Sequence, residues 1–242
     1  MNLKNLPEIE VFSNSIAIIG WHDGGAGQIY SWFQKSGQYH IACFVNPTDE
    51  SLYVDSSKID RDATQFSYPK PNSFKDLPLI NSSNWSSILK SLKIKKIIIT
   101  TSELRERYKQ IKTAKQQGFE LINAIHESAL IMDEAIIGEN LIIYPRVYVG
   151  YRAEVHTGVA LNTGVQLDHH NVIKECAAID PGVVFPGNVT VGRFTQVHTG
   201  VVTRNRIRIG KGSIIGAGSV IINDVPDRVT VVGVPGRIIK RH

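Results

Sequence analysis

The chain has 242 residues, 42% hydrophobic and 20% charged, with 27 basic side chains against 22 acidic ones and a net charge of +5. That composition suits a folded soluble protein of one large or two modest domains, and the mild, scattered basic excess gives no case for nucleic acid. No stretch approaches the roughly 20 apolar residues of a membrane span, Met1 to Ser15 is too polar and Ile16 to Gly20 too short for a leader, and the two cysteines, Cys43 and Cys176, lack metal or redox spacing, so a reduced cytoplasmic compartment is expected.

In chain order, Ser15 to Gly20 is a short β-branched run ending in glycine, followed by Trp21-His22-Asp23-Gly24-Gly25-Ala26-Gly27 and a helical segment from Gln28 to about Lys35. Strand, glycine-rich turn and helix open many nucleotide-binding α/β units, but the strict GxGxxG spacing is absent and a plain strand-to-helix turn fits equally well. His40 to Asn46 reads as a second strand stopped by Pro47. Residues 48 to 85, with Pro69, Pro71 and Pro78, are polar and irregular. Helix is predicted over Trp85 to Leu92, a buried parallel strand over Ile94 to Thr101, and a helix over Glu103 to Gln117, capped by Ser102 and ended by Gly118. Phe119 to Ala124 is a further strand. Residues 1–126 thus form a Rossmann-like α/β domain, and residues 127–242 a second domain.

That second domain keeps a period of six. Ile137, Ile143, Val149, Val155, Leu161, Leu167, Ile173, Ile179, Phe185, Val191, Val197, Thr203, Ile209, Ile215 and Ile221 follow one another without a slip, and all but Thr203 are large and apolar. Neither a helix nor a flat strand has this period; short strands joined by tight corners do, as in a parallel β-helix. Glycine follows the inward residue at Gly138, Gly150, Gly192, Gly210 and Gly216, and small residues precede it by two, as at Ala153, Ala177, Thr195, Ser213 and Ser219. Three hexapeptides per turn would stack residues eighteen apart. One column then holds Tyr151, His169 and Gly187, and another Asn162, Asp180, His198 and Gly216.

With the frame, the segment Leu167-Asp168-His169-His170-Asn171-Val172-Ile173, the run Gly216-Ala217-Gly218-Ser219-Val220-Ile221 and the ending Val225-Pro226-Asp227 … Val232-Gly233-Val234-Pro235-Gly236, the chain resembles the hexapeptide-repeat sugar acyltransferases. More narrowly it is similar to the bacterial N-acetyltransferases of UDP-4-amino sugars and their sialic acid O-acetyltransferase-like relatives. The resemblance covers nearly the whole chain. It implies a left-handed β-helix, an exception to the right-handed crossover rule, assembled as a homotrimer. Acetyl-CoA would lie between neighbouring coils as co-substrate, and a nucleotide sugar would be held partly by the first domain.

The resemblance also implies site residues. His169 falls where the family's general base removes a proton from the sugar amine, a role that suits an imidazole at cellular pH. The family's following carboxylate is replaced by His170; Asp168 could orient the base instead, or be pointed elsewhere by the alternation of an extended chain. Gly187 would leave room for the pantetheine arm. Asn162 matches a cofactor-site asparagine, though an asparagine ladder in a β-helix turn explains it as well. Thr199 and Ala217 fall on coenzyme contacts made mostly through backbone, and Ala178 stands where the family has a second histidine beside the acetyl carbonyl. Arg204, Arg206, Arg208, Lys211, Arg237 and Lys240 could meet coenzyme phosphates or simply be solvated. No metal is expected, because adjacent histidines seldom converge on one ion.

In the first domain Gly25-Ala26-Gly27 fits the end of the family's sugar-nucleotide loop, with alanine for histidine. Asn46 and Pro47 replace an acidic pair that reads uracil, and Thr100 replaces a glycine. The expected activity is transfer of acetyl from acetyl-CoA to the amine of a nucleotide-linked amino sugar in surface-glycan synthesis. O-acetylation of a sialic-acid-like sugar is the alternative, and a non-catalytic trimeric nucleotide-sugar-binding scaffold is the alternative outside enzymology.

Overall fold

The run Ser15–Ile19 becomes strand β1, with every residue buried. The computed structural model describes residues 8–49 and 72–242, so Pro69 and Pro71 lie outside the described residues. The remaining strands of the first sheet are β2 (His40–Asn46), β3 (Ser73–Phe74), β4 (Leu77–Asn81), β5 (Lys96–Ile99) and β6 (Glu120–Leu121), in the order β3-β4-β2-β1-β5-β6. Parallel pairing runs from β4 to β6, which explains why β1, β2 and β5 read as unbroken apolar runs rather than alternating ones. Helices α1 (Gln28–Phe33), α2 (Trp85–Ser91) and α3 (Leu104–Gln116) follow β1, β4 and β5.

Two details differ from the sequence reading. The irregular stretch holds the β3–β4 hairpin, joined by Lys75 and Asp76 at φ 51° and 62°. Two consecutive left-handed residues match the twist of a two-residue hairpin turn, but without the usual glycine the signal is silent. Helix α3 is capped by Glu103 rather than Ser102: the Glu103 carboxylate accepts the backbone N–H groups of Arg105 and Glu106.

The chain divides into two compact units. The first is Met1–Ser102 with Gln110–Ile122, the second Glu103–Lys109 with Asn123–His242. The start of α3 therefore belongs to the second unit, where Arg107 is buried beside Cys176 and Tyr144. Burial pulls its guanidinium below its ordinary range and pushes the Tyr144 phenol up to about 12.

In the second unit the period of six becomes three parallel sheets whose strands pair eighteen residues apart: Ile142 with Ala160, Tyr148 with Gln166, Glu154 with Val172. This is the left-handed parallel β-helix expected. It starts earlier than the sequence frame, with Ala124–Ile125 and Leu130–Ile131, and ends on the antiparallel pair Val229–Val232 and Arg237–Arg241. The first face carries Ala160–Leu161 and Ala178–Ile179, the second Gln166–Leu167 and Val184–Phe185, the third Val172–Ile173 and Thr190–Val191.

Each hexapeptide buries two side chains. Frame residues such as Leu161, Leu167 and Ile173 fill the interior, and so do the residues two before them: Val159, Val165, Asn171, Ala177 and Val183 are all fully buried. Burying one such Leu, Ile or Val contributes about 1.5–3 kcal/mol, so the repeated columns supply the second unit's core. Directly before each such inward pair, every sixth residue from Glu134 to Gly218 has positive φ, whether glycine (Gly164, Gly182) or not (Arg152, His170, Asn188). The backbone turns each corner there, and non-glycine residues are held in that strained region because the stacked coils over-determine it. The glycines after the inward residue serve another purpose. A Cβ on Gly192 would lie 2.5 Å from the Lys211 nitrogen of the next coil.

Candidate active site

His169 sits on the corner between the second and third faces, exposed, two residues past inward Leu167. Backbone bonds fix its level: His170 N–H donates to the Tyr151 carbonyl at 2.9 Å and Asn188 N–H to the His169 carbonyl at 3.0 Å. The column Tyr151–His169–Gly187 is therefore real. At Gly187 the His169 ring packs close over the backbone. A Cβ there would lie 2.3 Å from Cε1 and 2.4 Å from Nε2 of His169, so the imidazole itself occupies the space the glycine leaves.

Asp168 does not touch the ring. Its Oδ1 accepts the backbone N–H of His169 at 2.8 Å, bracing the peptide of the corner. The partner of the imidazole is His170, with the two Nδ1 atoms 3.0 Å apart. Tyr151 packs edge-on against His170, centroids 5.7 Å apart. Two Nδ1 atoms at that distance require one donor and one acceptor. If His169 Nδ1–H donates to His170, Nε2 of His169 is left with a free lone pair, which is what a general base needs. His170, at φ 59°, stands at the positive-φ point of the corner, and that places its ring beside its neighbour's. Beneath them, buried Asn171 donates to the carbonyls of Asp168 (2.8 Å) and Phe185 (3.2 Å) and accepts the Val189 N–H (2.6 Å), fastening this corner to the next coil.

Asn162 lies on the corner between the first and second faces. Its Nδ2 donates to Asp180 Oδ1 at 3.4 Å, and Asp180 Oδ2 meets His198 Nδ1 at 2.8 Å. Asn162 thus belongs to a mixed polar column with Asp180 and His198 and not to a run of stacked asparagines. The carboxylate–imidazole pair within it was not foreseen, although the eighteen-residue column already contained it. Thr199 and Ala217 are exposed on the same corner, and Ala178 lies on the first face, half-buried. Within one chain these residues and His169 occupy different corners. Arg204 and Arg206 lie by the His169 corner, Arg208 on the third face, Lys211 past it, and Arg237 and Lys240 on the last strand, so the predicted basic residues do not form one cluster.

In the first unit the strand order reverses between β1 and β5, where an open α/β sheet leaves a crevice at its carboxyl ends. Gly20 ends β1 at φ 129°, and a Cβ there would lie 2.2 Å from Thr100 Oγ1. Thr100 turns that hydroxyl inward to the Ile19 carbonyl, 3.0 Å. Asn46 is buried and donates to Asn81 Oδ1 at 3.1 Å. Asp23–Gly27 is a π-helical turn leading into α1, with Ala26 buried, so Gly25-Ala26-Gly27 is wound rather than an open loop. Asn81 was missed because its strand was.

No family model matches the chain. Among solved structures, the acetyltransferase domain of PglB from Neisseria gonorrhoeae, in complex with acetyl coenzyme A, is 26% identical with a TM-score of 0.77, over 94% of this chain and 100% of that one. The fold is that of the hexapeptide-repeat acetyltransferases. PerB from Caulobacter crescentus, solved with CoA and GDP-perosamine, superposes over 97% of this chain and 100% of its own with a TM-score of 0.80 at 23% identity, and so shares that architecture. The serine acetyltransferase of Bacillus subtilis is 35% identical over 122 residues, 49% of this chain and 48% of that protein. The chain spans about half the length of the curated relatives it matches.

Proposed function

We propose that the protein is an acetyl-CoA-dependent acetyltransferase that acylates the amine of a nucleotide-linked amino sugar, with His169 as general base. The observation that carries this reading is an exposed imidazole, lodged over Gly187 and paired through Nδ1, on a hexapeptide-repeat coil. The amine attacks the thioester carbonyl directly. His169 Nε2 takes the proton, the carbon–sulfur bond breaks, and coenzyme A leaves as the thiol or thiolate. His170 stands in for the family's carboxylate, accepting the Nδ1 proton and holding the ring's tautomer. With alanine at position 178, a backbone N–H stabilises the developing oxyanion.

In this reading the coenzyme lies between coils of a homotrimer, which would let the His169 corner of one protomer meet the Asn162–Thr199–Ala217 corner of its neighbour. The crevice of Gly20, Gly25, Asn46 and Thr100 holds part of the acceptor. Surface-glycan synthesis in the cytoplasm is the setting that acceptor suggests.

Coenzyme A release, measured with a panel of amino-sugar nucleotides, tests this. Turnover with an amino-sugar nucleotide that falls at least about a hundredfold in His169→Ala is expected, in line with loss of a general base. Undiminished turnover in that variant would end the mechanism, and failure to bind coenzyme A would favour a scaffold.

A further inference from the structure

The corner between the third and first faces carries a feature that the acetyl-transfer reading does not use. Gly212 N–H donates to the Arg193 carbonyl at 2.9 Å and Arg228 N–H to the Lys211 carbonyl at 3.0 Å, stacking Arg193, Lys211 and Arg228 on successive coils. Arg105, at the start of α3 and part of the same unit, joins them. Its guanidinium lies 5.0 Å from the centroid of Phe194, and that of Arg193 lies 5.6 Å from the same ring. Gly212 has no side chain to fill the floor: a Cβ there would meet only Arg105 Nη2 at 3.6 Å and Arg228 Cγ at 3.7 Å. These residues line a cavity of about 350 Å³.

The charges are unbalanced. Asp227 approaches Lys211 Nζ at 3.5 Å, and among the described residues no carboxylate bonds the guanidinium of Arg105, Arg193 or Arg228. Four cations less one carboxylate leave three positive charges around one concavity. Like charges gathered around one concavity repel, so an anion that enters is held by relief of that repulsion as well as by its own contacts.

We propose that this corner is a binding site for a small diphosphate-bearing anion. A diphosphate ester with a free end carries about three negative charges near neutral pH, which matches the excess. Guanidinium groups suit phosphate oxygens because each can donate two parallel hydrogen bonds. The volume is more than an isolated phosphate needs and falls at the lower end of small-ligand sites, roughly 300–1,000 Å³. None of Asn162, His169, Gly187, Thr199 or Ala217 lies on this corner. Two sources share the chemistry: a nucleoside diphosphate independent of the coenzyme, and the phosphates of coenzyme A itself.

Titration calorimetry of the full chain with inorganic pyrophosphate, at low and at high salt, tests the site. Binding is expected, weaker at high salt. The double substitution Arg193→Ala with Arg228→Ala should weaken it at least about tenfold, while His169→Ala leaves it unchanged. Should the double alanine variant fail to fold, Arg193→Lys with Arg228→Lys keeps the charge, loses the paired donors and should still weaken binding measurably. Absence of pyrophosphate binding, or binding equally tight in a folded double variant, overturns the proposal. Displacement of pyrophosphate by coenzyme A and by dephospho-coenzyme A alike, both of which carry the diphosphate, would identify the coenzyme as the source. Displacement by a nucleoside diphosphate with coenzyme A still bound would identify a separate ligand. Either result upholds the site.

Discussion

Gly187→Ala separates a positional role of His169 from a structural one. The new methyl would lie 2.3 Å from His169 Cε1, whereas ordinary carbon contacts are about 3.5–4.0 Å, so the ring must retreat by about 1 Å or more. It can do so cheaply. His169 is exposed, its side chain ends in solvent, and the two rotations that move it disturb only the 3.0 Å contact to His170. The stability change should stay within about 1 kcal/mol, as for most surface substitutions. Catalysis should not be spared. A base misplaced by 1 Å can cost about a hundredfold, which corresponds to about 2.7 kcal/mol in kcat/KM. The assay is initial-rate release of coenzyme A with the best amino-sugar acceptor, run beside thermal unfolding of the same samples. A variant that keeps wild-type kcat/KM would refute the idea that the ring acts from its seat over Gly187. A variant that loses activity together with several kcal/mol of stability would show that the glycine supports the coil and not the base.

Other expectations follow from the same contacts. His170→Ala removes the Nδ1 partner of His169; if His169 is the base and that partner holds its tautomer, kcat/KM should fall about tenfold or more, with an altered pH–rate profile and unchanged coenzyme A affinity by calorimetry. Asn171→Ala leaves the Val189 N–H and the Asp168 carbonyl without their bonds inside the coil; it should cost about 2–6 kcal/mol in denaturant unfolding, at about 1–3 kcal/mol for each unsatisfied group. Thr203→Val should act in the opposite direction. The Thr203 hydroxyl is buried with no partner among the described residues, and its removal at nearly constant shape should stabilise by about 1–2 kcal/mol, read as a higher denaturation midpoint. Burial pushes the Cys43 thiol up to about 12 and raises that of Cys176 as well; neither should react with iodoacetamide at pH 8 until the chain is unfolded, as followed by mass spectrometry.

The β-helix was legible because its cause is strictly periodic. All but one of the frame positions are large and apolar, and a single register slip would expose every later one, so the frame from Ile137 to Ile221 could hardly mean anything else. The corners were less legible. Their positive-φ column includes Arg152, Cys176 and Phe194 as readily as glycine, because stacking rather than residue preference sets the backbone there. The β3–β4 hairpin was hidden for a similar reason: its two-residue turn uses Lys75 and Asp76, and Pro78 opens a strand that composition alone marks as irregular. At the site, stacking by eighteen correctly placed His169 beside Gly187. It could not reveal that the imidazole would fill the space over the glycine, since the direction of a side chain is fixed by local contacts and not by the repeat.

Asp168 shows the same limit at smaller scale. Its position next to His169 made it a candidate for orienting the ring, against which the alternation of side chains on an extended backbone already spoke. The carboxylate turns back to the His169 N–H instead. His170 takes the ring because it sits at the positive-φ point, where the chain reverses and neighbouring side chains can converge. A carboxylate at position 170 would stabilise an imidazolium by its charge; a second imidazole offers a hydrogen-bond partner without a fixed negative charge. The proposed base therefore works with a fixed tautomer and little electrostatic help. Such an arrangement gains more from exact placement of the ring than from basicity, which makes the seat over Gly187 the feature on which the proposed chemistry most depends.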